Sequence, residues 1–334
     1  MGKGLTVSNN FVPAKWLENG HIQTLWPFIF RKRLIINRRR ERFITQDDDF
    51  FDVDWYGNGE TGIVILIHGL TGSSSSHYIL GMQVALEREG YTTAAVNCRA
   101  CSGESNLKAG SYHAGFTKDI DQLYRAIRCK NLTIPVYTIG FSLGGNIMLK
   151  WLAEEASDIQ INGSVAVSVP YKLANCADRV DRGFSKLYRH HLISEMKNKF
   201  ARKYLFFEES NNQSELDKLK ALGDISDIKS FWEFDNDVVA RLHGFEDVHD
   251  YYKKNSSISF LKVIKTNTLL IHALDDPFMT PDVIPKSDEL SPTITKEVNS
   301  HGGHVGFIAK STSQQSTYWL EKRIVDFFTK KSSL

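Results

Sequence analysis

The sequence predicts an α/β protein with a mainly parallel central sheet, covered by helices on both faces and interrupted once by a helical insertion. Three observations predict it. Short strand-like runs at 63–67, 92–96, 134–139 and 165–169 have the length and composition of strands buried on both faces. Segments with apolar residues at helical spacing alternate with these runs, as parallel pairing requires. From 171 to 259 the alternation stops. There the chain is polar, helical in pattern and dense in aromatics such as Phe184, Tyr188, Phe206, Phe231 and Trp232.

Residues 1–42 form an N-terminal extension that is expected to pack on the core. It is aromatic and broken by proline in Phe11-Val-Pro-Ala-Lys-Trp16 and His21-Ile-Gln-Thr-Leu-Trp-Pro27, and basic at Arg31-Lys-Arg33 and Arg38-Arg-Arg40. Residues 43–170 and 260–334 form the core. Two strands, 42–45 and 51–56, flank the turn residues Asp47, Asp48 and Asp49. Ile79, Met82 and Leu86 mark a helix that stops at Gly90. The next strand, 92–96, precedes a helix over 116–128, and the strand at 134–139 precedes a helix carrying Ile147, Leu149, Trp151 and Leu152. Residues 171–259 are read as a helical cap over the carboxyl edge of the sheet. Strands resume at 268–271 and 295–298, and a last helix sets Leu320, Ile324, Phe327 and Phe328 on one face.

Composition limits the function classes. With 334 residues, 42% hydrophobic and 24% charged, the chain suits one α/β domain with an insertion. A net charge of +2 is far from that of a dedicated nucleic-acid binder, so no nucleic-acid partner is expected. Four cysteines, Cys98, Cys101, Cys129 and Cys176, make no disulfide framework. Residues 1–10 carry no basic-then-apolar leader, and no apolar run reaches the roughly 20 residues that span a bilayer. The expectation is a soluble, cytoplasmic protein.

Chemistry is concentrated in four places. Gly140-Phe-Ser-Leu-Gly144 follows a core strand and opens a helix, the position of a nucleophile elbow. Ser142 sits at a sharp turn where flanking side chains would collide, and the two glycines remove them. His68-Gly-Leu-Thr-Gly72 follows the first core strand, where a loop beside the elbow donates a main-chain N–H to an oxyanion. The donors are assigned as Leu70 and Leu143, and His68 is read as a structural residue that hydrogen-bonds the loop. An acid and a base must then follow in order. Asp275 and Asp276 compete for the acid, and the position before Pro277 favours Asp276. In His301-Gly-Gly-His304, the small neighbours of His304 favour it over His301 as the base. A serine hydroxyl is a poor nucleophile unless such a base accepts its proton, and a buried carboxylate fixes the tautomer of that base.

Phe11-Val-Pro, His21-Ile-Gln-Thr, Cys101-Ser-Gly-Glu104, Tyr112-His113, Gly140-Phe-Ser-Leu-Gly-Gly-Asn146, Asp275-Asp-Pro-Phe278 and His301-Gly-Gly-His-Val-Gly-Phe307 together resemble the YheT-like branch of the α/β-hydrolases. That branch includes abhydrolase-domain proteins and ester-forming esterases of eukaryotes. The resemblance runs nearly end to end and includes Asp181-Arg-Gly-Phe-Ser185 in the insertion. It implies a catalytic triad of Ser142, Asp276 and His304, and a carboxylic-ester hydrolase with acyl-transfer capacity. Alanine stands at 100, between Arg99 and Cys101, where glycine is expected.

The reaction expected is hydrolysis of a small-molecule ester with an apolar portion, through an acyl-enzyme and without cofactor or metal. An acyltransferase or thioesterase would use the same triad, and a non-catalytic binding protein of the same fold is the rival from another class. The remaining signals take plain readings. Cys98-x-x-Cys101 is a buried strand-end cysteine and a loop cysteine. His190 and His191 point apart on a helix, and His113 makes a structural hydrogen bond. The basic clusters are internally paired or solvated, with weak membrane-surface contact through the basic, aromatic N-terminal segment as the alternative.

Overall fold

The computed structural model describes residues 11–32, 34–310 and 317–329. The leader reading of residues 1–10 and Arg33 of the first basic cluster lie outside the described residues.

Eight strands form one sheet in the order β1-β2-β4-β3-β5-β6-β7-β8. They are β1 (Arg39–Ile44), β2 (Phe50–Tyr56), β3 (Gly62–Ile67), β4 (Tyr91–Asn97), β5 (Val136–Phe141), β6 (Gly163–Val167), β7 (Thr268–Ala273) and β8 (Ile294–Asn299). From β4 to β8 every pair is parallel, while β2 runs antiparallel to both β1 and β4. In β3 the side chains from Val64 to Ile67 are all fully buried, which is why this strand reads as continuously apolar. Its alternate residues feed two cores. Ile65 and Ile67 pack with Leu123, Ile127, Met148 and Trp151 of α3 (Lys118–Lys130) and α4 (Leu143–Glu154). Val64 and Leu66 pack with Ile79, Met82, Ile324 and Phe328 of α2 (His77–Glu87) and α11 (Trp319–Thr329).

Between β6 and β7 the described residues form helices joined by turns and contain no strand. They comprise α5 (Leu173–Val180), α6 (Ser185–Glu209), α7 (Gln213–Lys220), α8 (Phe231–Phe234), a π-helical turn (Asp235–Ala240), α9 (Arg241–His243) and α10 (Val248–Asn255). Ser230 and Glu233 close a reciprocal cap at the start of α8.

The first helix, α1 (Gly20–Phe30), has no counterpart in the sequence reading, which treats this stretch as proline-broken. Asn19 caps it by accepting from the N–H groups of His21 and Ile22. Pro27 lies inside it, and a proline there cannot donate to the carbonyl of Gln23. That carbonyl lies where a Cβ on Gly306 would approach to 2.1 Å, so the proline and the facing glycine let α1 press onto the loop before α11. The sheet also begins earlier than the boundary at 42, because β1 starts at Arg39. Four described arginines of the basic run are consumed by pairing. Arg40 forks onto Asp54 at 2.8 and 2.9 Å, Arg42 forks onto Asp52 at the same distances, and Arg31 pairs with Glu321 and Arg39 with Glu41.

Candidate active site

Ser142 is the last residue before α4 and adopts φ 51° and ψ −122°, a conformation that a non-glycine residue holds only under tertiary constraint. Its backbone is held by donation of its N–H to Val167 O at 2.8 Å. The glycines of the elbow are required by contact. A Cβ on Gly140 would lie 2.5 Å from Gly145 Cα, and one on Gly144 would lie 2.4 Å from His68 O.

The loop after β8 brings His304 over the serine. Its Nε2 is 2.9 Å from Ser142 Oγ and its Nδ1 is 2.8 Å from Asp276 Oδ2. Asp276 is buried, and its Oδ1 accepts from the Phe278 N–H at 2.8 Å. With the carboxylate accepting from Nδ1–H, Nε2 is left to receive the serine proton. Phe278 lies against the imidazole with ring centroids 4.3 Å apart, which limits how far the ring can turn.

Asp275 and His301 form a separate pair outside this line. Asp275 Oδ1 accepts from the Gly303 N–H at 2.9 Å, and its Oδ2 lies 3.5 Å from His301 Nδ1. Burial raises the Asp275 carboxyl above the usual carboxylate range. Its position braces the turn that carries His304.

The loop after β3 runs beside the elbow, so close that a Cβ on Gly69 would be 3.1 Å from Ser142 Cβ. Two tyrosines hold it. Tyr78 OH accepts from the Gly69 N–H and Tyr112 OH from the Thr71 N–H, each at 3.0 Å. Between them the Leu70 N–H has no acceptor among the described residues, and neither has the Leu143 N–H at the start of α4. His68 is fully buried, with Nδ1 on Gly69 O at 2.7 Å and Nε2 accepting from the Cys98 N–H at 3.1 Å. Both ring nitrogens are thereby engaged within the fold.

Sequence reasoning gave no role to the residues of α1 that support the candidate base, His304. Thr24 Oγ1 accepts from the His304 N–H at 2.9 Å and donates to Gly20 O at 2.7 Å. Gln23 is fully buried. Its amide donates to Leu17 O and Ile308 O, and its Oε1 accepts from the Ile308 N–H at 2.6 Å. The signal was present as His21-Ile-Gln-Thr24, two polar residues inside an apolar stretch. Tyr78 carried no comparable signal, and Tyr112 stood out only as part of the motif Tyr112-His113, with no role assigned to it.

A cavity of about 350 Å³ lies between these loops and the inserted helices. Ser142, His304, Leu70 and Leu143 face it from the core, and Leu173, Val180, Met196, Phe200, Phe234 and Val239 line it from the insertion. Its wall is mostly apolar.

The other singled-out residues fall elsewhere. His190 and His191 are exposed. Among the described residues no group of acidic, histidine and cysteine side chains has the spacing of a metal site. Cys98 and Cys101 are free and buried, with Lys199 Nζ 3.1 Å from Cys101 Sγ. His113 Nδ1 accepts from the Gly115 N–H, and its ring lines the cavity. Asp47 and Asp49 do more than shape a turn, since both carboxylates meet the Arg99 guanidinium, at 2.6 and 3.0 Å. Arg99 holds the Asp47 carboxyl down at about 2. Ala100 adopts φ 63°, which is the physical reason a glycine is expected there.

Comparison with known proteins agrees with this architecture. Residues 62–311 match the family model for the alpha/beta hydrolase fold. The chain is 34% identical to YheT of Escherichia coli (strain K12) over 96% of its own length and 94% of that protein. It is 26% identical to human phospholipase ABHD3, covering 93% of this chain and 77% of that one. Of solved structures, the Pyrococcus furiosus esterase Pf2001 superposes with a TM-score of 0.55 at 17% identity, over 90% of this chain and 98% of that one. That likeness carries the fold alone. The matching family model, the end-to-end relative and the eight-stranded, mostly parallel sheet together show that the chain belongs to the α/β-hydrolase family, in its YheT-like branch.

Proposed function

We propose that this hydrolase cleaves carboxylic esters with an apolar portion through an acyl-enzyme on Ser142. The observation that carries the reading is the continuous line Ser142 Oγ, His304 Nε2, His304 Nδ1 and Asp276 Oδ2, with links of 2.9 and 2.8 Å. Ser142 attacks the ester carbonyl while His304 takes its proton, then returns it to the leaving alcohol. The developing oxyanion is stabilised by the N–H groups of Leu70 and Leu143, aided by the amino terminus of α4. Water, activated by the same histidine, releases the acid. The mostly apolar cavity supports an acyl or alcohol portion of hydrocarbon character. Relatives named for phospholipase and monoacylglycerol lipase activity support ester bonds of lipid-like molecules as the target class. Trp16, Phe28, Ile29 and Phe30, exposed on and beside α1, support weak contact with a lipid surface.

Labelling with a fluorophosphonate probe tests the reading, comparing the wild type with Ser142→Ala. Labelling and turnover of p-nitrophenyl esters are expected in the wild type and absent from the variant. Activity that falls to background as the acyl chain lengthens past acetyl would overturn the apolar assignment. A folded wild type that does not label would overturn the hydrolytic mechanism.

A further inference from the structure

One carboxylate inside the cavity is used by none of these steps. Asp235 opens the π-helical turn that follows α8, and it lines the cavity together with Phe231, Val238, Val239 and Tyr252. Such turns are rare and concentrate at functional positions, because the extra residue redirects side chains that a regular helix would aim elsewhere. Tyr252 OH donates to Asp235 Oδ2 at 2.7 Å, and no other side-chain hydrogen bond or ion pair reaches Asp235 among the described residues. A carboxylate has room for about four donors, so one tyrosine leaves most of that capacity unused on a residue that lines the cavity. Burial without a countercharge pushes the carboxyl up to about 7. A residue that served only to tie α10 to the turn would need one acceptor, which an asparagine supplies without the cost of burying a carboxyl.

Resting on the esterase reading of the site, we propose that Asp235 is a specificity-determining residue that accepts a hydrogen bond from a hydroxyl group of the substrate. The substrate class is therefore a hydroxyl-bearing ester: either a partial ester of a polyol, with the hydroxyl on the alcohol portion, or an ester of a hydroxy acid. A neutral hydroxyl fits the wall better than an ammonium group. An ammonium group would lose its hydration on entering a mostly apolar cavity that offers it one carboxylate. A hydroxyl can also serve Asp235 in either protonation state, donating to the carboxylate or accepting from the acid. Excluding water makes this contact selective, since a ligand without the hydroxyl leaves the carboxyl unpaired.

Two pairs of esters test the proposal and separate its two sources. The first compares 2,3-dihydroxypropyl octanoate with propyl octanoate, and the second compares propyl 8-hydroxyoctanoate with propyl octanoate. The wild type should prefer the hydroxyl-bearing ester in one pair by about tenfold or more in kcat/KM. Asp235→Leu should abolish that preference, so that the ratio of kcat/KM between the two esters falls to about one. Asp235→Asn, which keeps an acceptor oxygen and the volume, should retain part of it. A wild type that labels with the fluorophosphonate and cleaves propyl octanoate, yet shows no preference in either pair, overturns this inference alone, without recourse to any variant. Equal losses on both esters in Asp235→Leu would also overturn it. A wild type that neither labels nor cleaves overturns the underlying reading as well.

Discussion

Replacing Thr24 by valine should slow the reaction although Thr24 touches neither the serine nor the imidazole. Valine keeps the β-branched shape on α1 but removes the acceptor of the His304 N–H at 2.9 Å and the donor to Gly20 O at 2.7 Å. A backbone hydrogen bond contributes about 1 kcal/mol net, and leaving its N–H partly buried without an acceptor adds to that, giving roughly 1–2 kcal/mol. If the loss falls on the placement of the base in the transition state, kcat/KM drops about 5- to 30-fold. The fold should survive, because Gln23 still ties α1 to Ile308. The effect should therefore appear in kcat and in the rate of fluorophosphonate labelling, with little change in thermal midpoint. Thr24→Ser restores the hydroxyl and should restore most of the rate. A Thr24→Val enzyme within twofold of wild type would refute the reasoning, as would a Thr24→Ser enzyme no better than Thr24→Val.

Two further outcomes are expected. The Asp235 carboxyl sits at about 7 in the folded chain and near 3.9 when unfolded, so folding takes up a proton between those values. Its stabilising contribution is complete below about pH 4 and is lost as pH rises toward 7. The stability of Asp235→Asn relative to wild type, from urea titrations, should rise across that window and level off above it; a difference that stays constant from pH 4 to 8 would refute the assignment. For the N-terminal surface, flotation with phosphatidylcholine vesicles should recover a small bound fraction that falls when Trp16, Phe28 and Phe30 are changed together to serine. Because the neighbouring arginines are paired within the chain, adding anionic lipid should change that fraction little.

The strands were legible because a sheet buried on both faces demands short apolar runs; β3 supplies one unbroken, and β5 and β6 are interrupted only by Thr138 and Ser164. The elbow was legible for a related reason. Strand, glycine, serine and glycine must be adjacent in sequence for the turn to close, so the whole motif lies in five residues. Helix α1 was not legible. Its only interior signal is Pro27, which ordinarily ends a helix, and the feature that accommodates the proline is Gly306, nearly 280 residues away. The roles of Tyr78 and Tyr112 were not legible because an amphipathic residue on a covered surface looks the same whether its hydroxyl meets water or a loop N–H. Arg99 was passed over because its partners Asp47, Asp49 and Asp119 come from two distant segments, one of which reads convincingly as an isolated turn.

The candidate nucleophile, acid and oxyanion loop follow strand ends of one sheet, whereas the candidate base lies on the loop after β8. That loop includes Gly302 at φ 148°, Gly303 at φ 58°, Val305 at φ 60° and Phe307 at φ 47°. A β-branched residue in the left-handed region is strained, and strain of about 1–3 kcal/mol per position persists only where surrounding contacts over-determine it. The contacts that do so here come largely from outside the sheet. Thr24 holds His304, Gln23 holds Ile308, Gly20 packs against Asp275, and Ser168 Oγ accepts from the Val305 N–H at 3.1 Å. The N-terminal segment is thus a structural part of the candidate base rather than an appendage to the core. Changes on α1 should for that reason affect turnover before they affect folding.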